Sequence, residues 1–272
     1  MKIALVWYFD KASWVYDNYR DGLRSAMDLI HKEHHVSWFL DKTIPKPEDG
    51  FDAIILWDDS NSEFFKEMDK FICKKAMVLT TNPHNFDNLR KLDVVFCESQ
   101  VTYDETRAQG IRAIKAFGTD TDFFKPDPKV KKDILYFYPA TFSPWKRQSE
   151  IAYLGENLLC VGTVQPDGLG ELEACRIAGV RVEEGYYPVE HIKAYYNRTQ
   201  SVIIPAVHGS ERTVLECMSM NILPVITHKQ ENRKAQTYID EYRASGEKTP
   251  RAFVLKNYSH TVYADKVLKG IS

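Results

Sequence analysis

The stretch SVIIPAVHGSERTVLECMSMNILPVI, residues 201–226, reads as a strand, a loop, a helix and a second short strand. Ser201 to Pro205 is a short apolar run of strand length, and Val207 to Ser210 is a loop. Val214, Leu215 and Met218 recur at the spacing that places them on one face of a helix starting near Glu211 or Arg212. Pro224 ends that helix, and Leu223 to Thr227 returns as a strand. A strand, a crossover helix and a strand in that order belong to a parallel sheet covered by helices.

The same rhythm extends along the chain. Strands are expected at Lys2 to Tyr8, His35 to Leu40, Asp52 to Trp57, Ala76 to Thr81, Leu92 to Cys97 and Ile111 to Phe117, with helical stretches between most of them. After GTDTDFFKPDPKVKKD it restarts with Asp133 to Tyr138, Asn157 to Gly162, Val180 to Glu183, Ser201 to Pro205, Leu223 to Thr227 and Arg251 to Leu255. The expected fold class is α/β, with two Rossmann-like domains facing a cleft, residues 1–120 and 121–272. Prolines and a lysine cluster near residues 118–132 mark the change. In such sheets ligands sit at the carboxyl ends of strands, so residues just after strands carry most weight.

Composition supports a globular two-domain chain. It has 272 residues, 44% of them hydrophobic and 12% aromatic, enough to bury substantial cores. Met1 leads straight into KIALVWY without a signal-peptide pattern, and no apolar run reaches the roughly 18 residues of a membrane span, so a soluble, cytoplasmic chain is expected. Cys73, Cys97, Cys160, Cys175 and Cys217 are odd in number and form no CxxC pair. They read as buried small hydrophobes rather than a disulfide framework or a zinc site.

The loop before the Glu211 helix aims a helix N-terminus at the strand ends. Free backbone N–H groups and the positive end of the helix dipole favour a phosphate there. Ser210 and Thr213 offer hydroxyl donors, and Arg212 a planar cation. The plainer alternative is a serine N-cap with glutamate in the first turn, which needs no ligand. Asp120 and Asp122 spell a carboxylate pair of the kind that holds a divalent metal. Gly118, Phe124 and Pro126 around them read as a turn instead, and no metal is expected.

From about residue 87 onward, the order of features resembles the large retaining glycosyltransferase family of GT-B fold, especially its compact branch similar to the spore-maturation CgeB-like proteins. KLDVVFCESQVTYDETRAQGI resembles the last strand and helix of the family's first domain, GTDTDFFKP its interdomain turn, and YPATFSPWKRQSEI the first strand, loop and helix of its second domain. EEGYYPVEHIKAYYNRTQSVIIPA resembles the base-binding loop, its helix and the strand that carries the donor site. The family's donor motif has two glutamates separated by seven residues. Glu216 falls on the second, His208 stands at the first, and Asn221 replaces the usual glycine.

The resemblance implies a glycosyltransferase that moves a sugar from a UDP- or GDP-linked donor to a hydroxyl acceptor, with retention and with no metal or other cofactor. Lys146 matches the family's diphosphate lysine. Its partner arginine is Thr141 here, so Arg212 or Arg147 would supply the missing charge. Glu216 would accept from the ribose hydroxyls, Tyr186 or Tyr187 would cover the base, and His208, Gly209, Ser210 and Thr213 would line the donor site. His84, at a strand end in MVLTTNPHNF, matches a histidine placed beside the donor sugar. Asp58, Asp59, Asp17 and Asn18 are further acceptor-side candidates, and YFDKASW stands where a glycine-rich loop is usual.

The acceptor is left open among a glycan, a metabolite, a protein and a hydroxymethylated DNA base. The net charge of −2 gives no global attraction for nucleic acid, yet residues 107–147 hold nine Lys or Arg against four Asp. A phage-type DNA glycosyltransferase is therefore one alternative. A non-catalytic nucleotide-sugar binder, motivated by His208, is another. No motif supports a nucleotide-sugar epimerase on the same fold.

Overall fold

The computed structural model describes residues 1–7, 22–40, 43–57, 62–79 and 85–272. The chain divides into two compact units, Met1–Gly118 with Tyr258–Ser272, and Thr119–Asn257.

The first unit is built on β1 (Lys2–Val6), α1 (Gly22–Ile30), β2 (His35–Phe39), β3 (Ala53–Trp57), α2 (Ser62–Glu67), β4 (Lys74–Leu79), α3 (Phe86–Leu89), β5 (Val94–Cys97), α4 (Gln100–Ala108) and β6 (Ala113–Lys115). Its strands form one six-stranded parallel sheet in the order β2-β1-β3-β4-β5-β6. Every residue of β3 is buried, as is every residue of β5, because a parallel sheet is covered on both faces. Ser99 starts α4 by accepting from the Thr102 N–H at 3.2 Å, an N-cap that stops the preceding strand from running on.

The second unit comprises β7 (Ile134–Pro139), a run of 3₁₀ turns over Gln148–Asn157, β8 (Leu158–Gly162), α5 (Leu169–Ile177), β9 (Arg181–Glu184), α6 (Val189–Arg198), β10 (Thr199–Ile204), α7 (Glu211–Ser219), β11 (Val225–Ile226), α8 (Arg233–Ser245) and α9 (Pro250–Asn257). Its five strands are parallel in the order β11-β10-β7-β8-β9. The chain thus winds outward from β7 to β9, then crosses back to lay β10 and β11 on the other side. The switch lies between β7 and β10, where loops leaving the two strand ends part and open a crevice. Gly162 ends β8 so close to the first turn after β7 that a Cβ there would lie 2.1 Å from the Ala140 carbonyl oxygen.

Two expectations are corrected. Arg251 to Leu255, expected as a strand, is the α9 helix. Pro250 occupies its first position, where no intrahelical N–H is lost, and the Thr249 hydroxyl accepts from the Ala252 N–H at 3.2 Å. The second difference concerns the end of the chain. The division after Gly118 lies close to the expected boundary at 120, but residues 258–272, expected with the second domain, belong to the first unit. They form α10 (His260–Ile271), capped by the Ser259 hydroxyl at the Val262 N–H, and they pack on α1. Tyr263, Val267 and Ile271 are buried on its inner face, and Gly270 lets it approach β5 so closely that a Cβ would lie 2.5 Å from the Phe96 ring. Among the described residues, no helix is long and apolar enough to cross a membrane.

Candidate functional site

The switch point of the second sheet gathers the residues that follow β7 and β10. Lys146 lies in the loop after β7. Its Nζ donates to the Ser210 hydroxyl at 3.2 Å and to the His208 carbonyl at 3.4 Å, both in the loop after β10. Backbone contacts tie the same two loops, with the Val207 N–H on the Trp145 carbonyl at 3.1 Å. The Tyr138 hydroxyl, buried under the loop, donates to the Lys146 carbonyl at 3.3 Å. Burial pulls the Lys146 ammonium below the usual lysine value, the Glu211 carboxylate pushes it back up, and Arg212 lowers it.

The loop from 207 to 210 has an unusual backbone. Gly209 and Ser210 both take the left-handed conformation, at φ 73° and 78°. A Cβ on Gly209 would lie 2.9 Å from the Lys146 Nζ, so glycine leaves room for the ammonium. Ser210 precedes the helix without capping it, because its left-handed backbone departs from the extended conformation of an N-cap, and its hydroxyl meets Lys146 instead. The plain N-cap reading of Ser210 is therefore corrected. A left-handed residue followed by the first helical residue makes successive backbone N–H groups converge on one concavity, a geometry suited to an anion. Asn232, just before α8, holds the loop from behind by donating to the carbonyls of Ala206 and Gly209, each at 3.0 Å.

His208 stands where the family resemblance implies a glutamate. Its ring stacks on Trp145 at 5.8 Å between centroids and 14° between planes. Burial, and then the charges of Lys146 and Lys234, hold it below the usual histidine value. It is thus disposed to be neutral, whereas a glutamate would be an anion.

Glu216 lies one and a half turns into α7 and is only 5% exposed. Its Oε2 accepts from the buried Tyr196 hydroxyl of α6 at 3.2 Å, and its Oε1 lies 3.2 Å from Arg212 Nε. Glu216 and Arg212 line a cleft with room for about 180 Å³ of solvent, together with Thr141, Thr213, Tyr186 and Tyr187. Gly162 and Gly185 keep its floor open. Tyr187 leans toward His191 at 6.2 Å, and Tyr186 is 67% exposed.

Arg147 follows a different course. Its guanidinium pairs with Glu150 at 3.1 Å and Glu231 at 3.7 Å, both of which also meet His228, so it serves an ion cluster beside the loop. Of the two cations considered as the diphosphate partner, Arg212 is the one that lines the cleft. Asp120 accepts from the Phe123 N–H at 2.9 Å and is 8% exposed, which makes it a turn-forming residue. The basic excess in residues 107–147 is shared between the units: Arg107, Arg112 and Lys115 in the first, the other six in the second.

His84, Asp58, Asp59, Asp17, Asn18 and the whole of YFDKASW lie outside the described residues. In the first unit the switch point falls between β1 and β3, where Trp7 stacks on Trp57 at 4.4 Å and Trp38 lies 5.6 Å from Trp7. Sequence reasoning missed this aromatic cluster. It also missed Asn232, Trp145 and Tyr196, whose roles arise from contacts between distant segments. Glu211 was read as a first-turn residue, yet it is 3% exposed and has an unpartnered Oε1.

No protein-family model matches this sequence, and no curated relative does. Solved structures do resemble the fold. AviGT4, a glycosyltransferase involved in avilamycin A biosynthesis, aligns over 100% of this chain and 97% of its own, with a TM-score of 0.69 at 14% identity. The N-terminal domain of Candida albicans trehalose-6-phosphate phosphatase aligns over 98% of both chains, with a TM-score of 0.65 at 9% identity. A UDP-forming α,α-trehalose-phosphate synthase from Burkholderia vietnamiensis aligns over 99% of this chain and 96% of its own, with a TM-score of 0.63 at 9% identity. At these identities the likeness is one of fold: two parallel α/β units of the kind found in GT-B glycosyltransferases.

Proposed function

We propose that this chain is a glycosyltransferase that moves a sugar from a UDP- or GDP-linked donor to a hydroxyl acceptor without a metal. The observation that carries the reading is the meeting of Lys146, Ser210 and the α7 N-terminus at the β7/β10 switch point, beside the cleft that holds Glu216. Transfer breaks the bond between the anomeric carbon and the β-phosphate oxygen, and negative charge grows on the diphosphate as it leaves. The Lys146 ammonium, the Arg212 guanidinium and the convergent N–H groups stabilise that charge where it develops. Glu216 accepts from the ribose hydroxyls, and Tyr187 or Tyr186 covers the base. Retention of configuration comes from the family resemblance, as does the placing of His84 beside the sugar.

The test is incubation with a panel of UDP- and GDP-sugars, measuring nucleoside diphosphate release and examining glycan, protein, metabolite and hydroxymethylated DNA acceptors by mass spectrometry. Binding of none of these nucleotides would overturn the reading. A second reading, a nucleotide-sugar binder that transfers nothing, is favoured by the stacked His208 in place of a carboxylate. Tight nucleotide binding with no turnover on any donor would select it.

A further inference from the structure

Glu211 is the first residue of the nine-residue helix α7, the end at which the proposed function seats a diphosphate. A fixed anion there opposes the very ligand the helix end attracts. Its side chain is nevertheless inside the protein, 3% exposed, and Oε1 has no hydrogen-bond donor. Buried carboxylates without partners are costly when ionised. The charges facing it are Lys146 from the loop after β7 and Lys234 from α8, with its own backbone N–H as a further support. Burial is the largest influence on this carboxyl and pushes its pKa up; the N–H and the two lysines pull it back. In the free protein, the Lys146 ammonium donates to the loop oxygens of Ser210 and His208 while its charge also acts on Glu211.

A diphosphate arriving at the same ammonium changes the balance. It adds negative charge beside Glu211 and draws Lys146 toward itself, and both effects favour the neutral carboxylic acid. The enclosed Oε1 has no surface on which a sugar hydroxyl could settle, so the proton is the ligand that fits it. We propose that Glu211 takes up a proton when a nucleoside diphosphate binds at the α7 N-terminus, so that donor affinity is linked to pH through this side chain. The inference rests on the donor-site reading above. The proton comes from the buffer, the carboxylate becomes a carboxylic acid, and Lys146 keeps its charge for the diphosphate.

The linkage has a defined sign. Uptake on binding means that affinity falls as pH rises above the free-state pKa of Glu211, by up to tenfold per pH unit for a single proton. The experiment is calorimetric titration of UDP and of GDP into the full chain between about pH 7 and 9, roughly one to three units above the second phosphate pKa of about 6. Each titration is run in HEPES and in Tris, whose ionisation heats differ.

Wild type is expected to take up more protons per nucleotide than Glu211→Gln does, most at the low end of this range, and its affinity is expected to fall more steeply as pH rises. Lys146 and His208 also titrate below their usual values, but they predict the opposite for this variant. Removing the Glu211 charge would depress the Lys146 pKa further and leave or enlarge the uptake. Uptake undiminished in Glu211→Gln would therefore overturn the proposal while leaving the donor site standing. Failure of wild type to bind either nucleotide would instead remove the donor site, and this inference with it.

A measurement on the unsubstituted protein covers the case in which the variant does not fold. Saturation with UDP is expected to produce, in the infrared difference spectrum, a protonated-carboxyl band at the expense of a carboxylate band. A spectrum without that exchange overturns the proposal.

Discussion

Replacing Glu216 by alanine and by glutamine separates its two roles, because the contacts that hold it differ from those it would offer a nucleotide. Alanine removes the acceptor of the Tyr196 hydroxyl, which is fully buried and loses its 3.2 Å partner. An orphaned buried donor costs about 1–3 kcal/mol. Arg212 also loses a partner, but it is 45% exposed and turns to water at a cost of roughly 0–1 kcal/mol. The melting temperature of Glu216→Ala should therefore fall by about 2–16 °C, at roughly 2–4 °C per kcal/mol for a unit of this size. Glutamine keeps an acceptor for Tyr196 and should stay within about 1 kcal/mol of wild type. Both variants lose charge-assisted hydrogen bonds to ribose, worth about 1.5–3 kcal/mol, so UDP or GDP should bind about ten- to a hundredfold more weakly. Calorimetry with thermal melts reads both quantities. If Glu216→Gln binds nucleotide as wild type does, the carboxylate merely braces Tyr196 and Arg212, and the ribose assignment fails.

Lys146→Ala should weaken UDP by about 1.5–3 kcal/mol while leaving uridine binding within about twofold, since the ammonium meets only the diphosphate; equal losses for the two ligands would move Lys146 out of the phosphate site. Transfer should survive EDTA, because cations and N–H groups of the chain neutralise the leaving group; loss with chelator and recovery with Mn²⁺ would refute the metal-free reading. Gly162→Ala forces a Cβ to within 2.1 Å of the Ala140 carbonyl, so the β7 and β8 ends must move apart and stability should fall by about 1–3 kcal/mol. An unchanged melting curve would show that the strand ends yield freely.

Where strands and helices lie was largely legible from residue order. Runs such as AIILW and VVFC are continuous apolar segments because both faces of a parallel sheet are covered. The Arg251 to Leu255 stretch failed because a short apolar run has no period of its own, and Thr249-Pro250 decided for a helix. The final helix was not read at all. Its burial comes from contacts with α1 and Phe96, more than a hundred residues earlier in the chain.

Residue identity by itself placed glycine and serine between a strand and a helix start, with a lysine and an arginine available in the chain, the ingredients of the proposed anion site. Only the tertiary structure decided which groups share the site. Strand order is set by how the sheet is covered, and that order placed β7 beside β10, so that Lys146 meets Ser210 across 64 positions of sequence. Arg147, adjacent to Lys146, turned instead to Glu150 and Glu231. Glu211, one of many first-turn glutamates by sequence, is a buried carboxylate under the influence of Lys146 and Lys234, which lie far from it in the chain. Local chemistry is written residue by residue, whereas burial and partnership are properties of the packed whole, and it is burial that turns an ordinary charge into a responsive one.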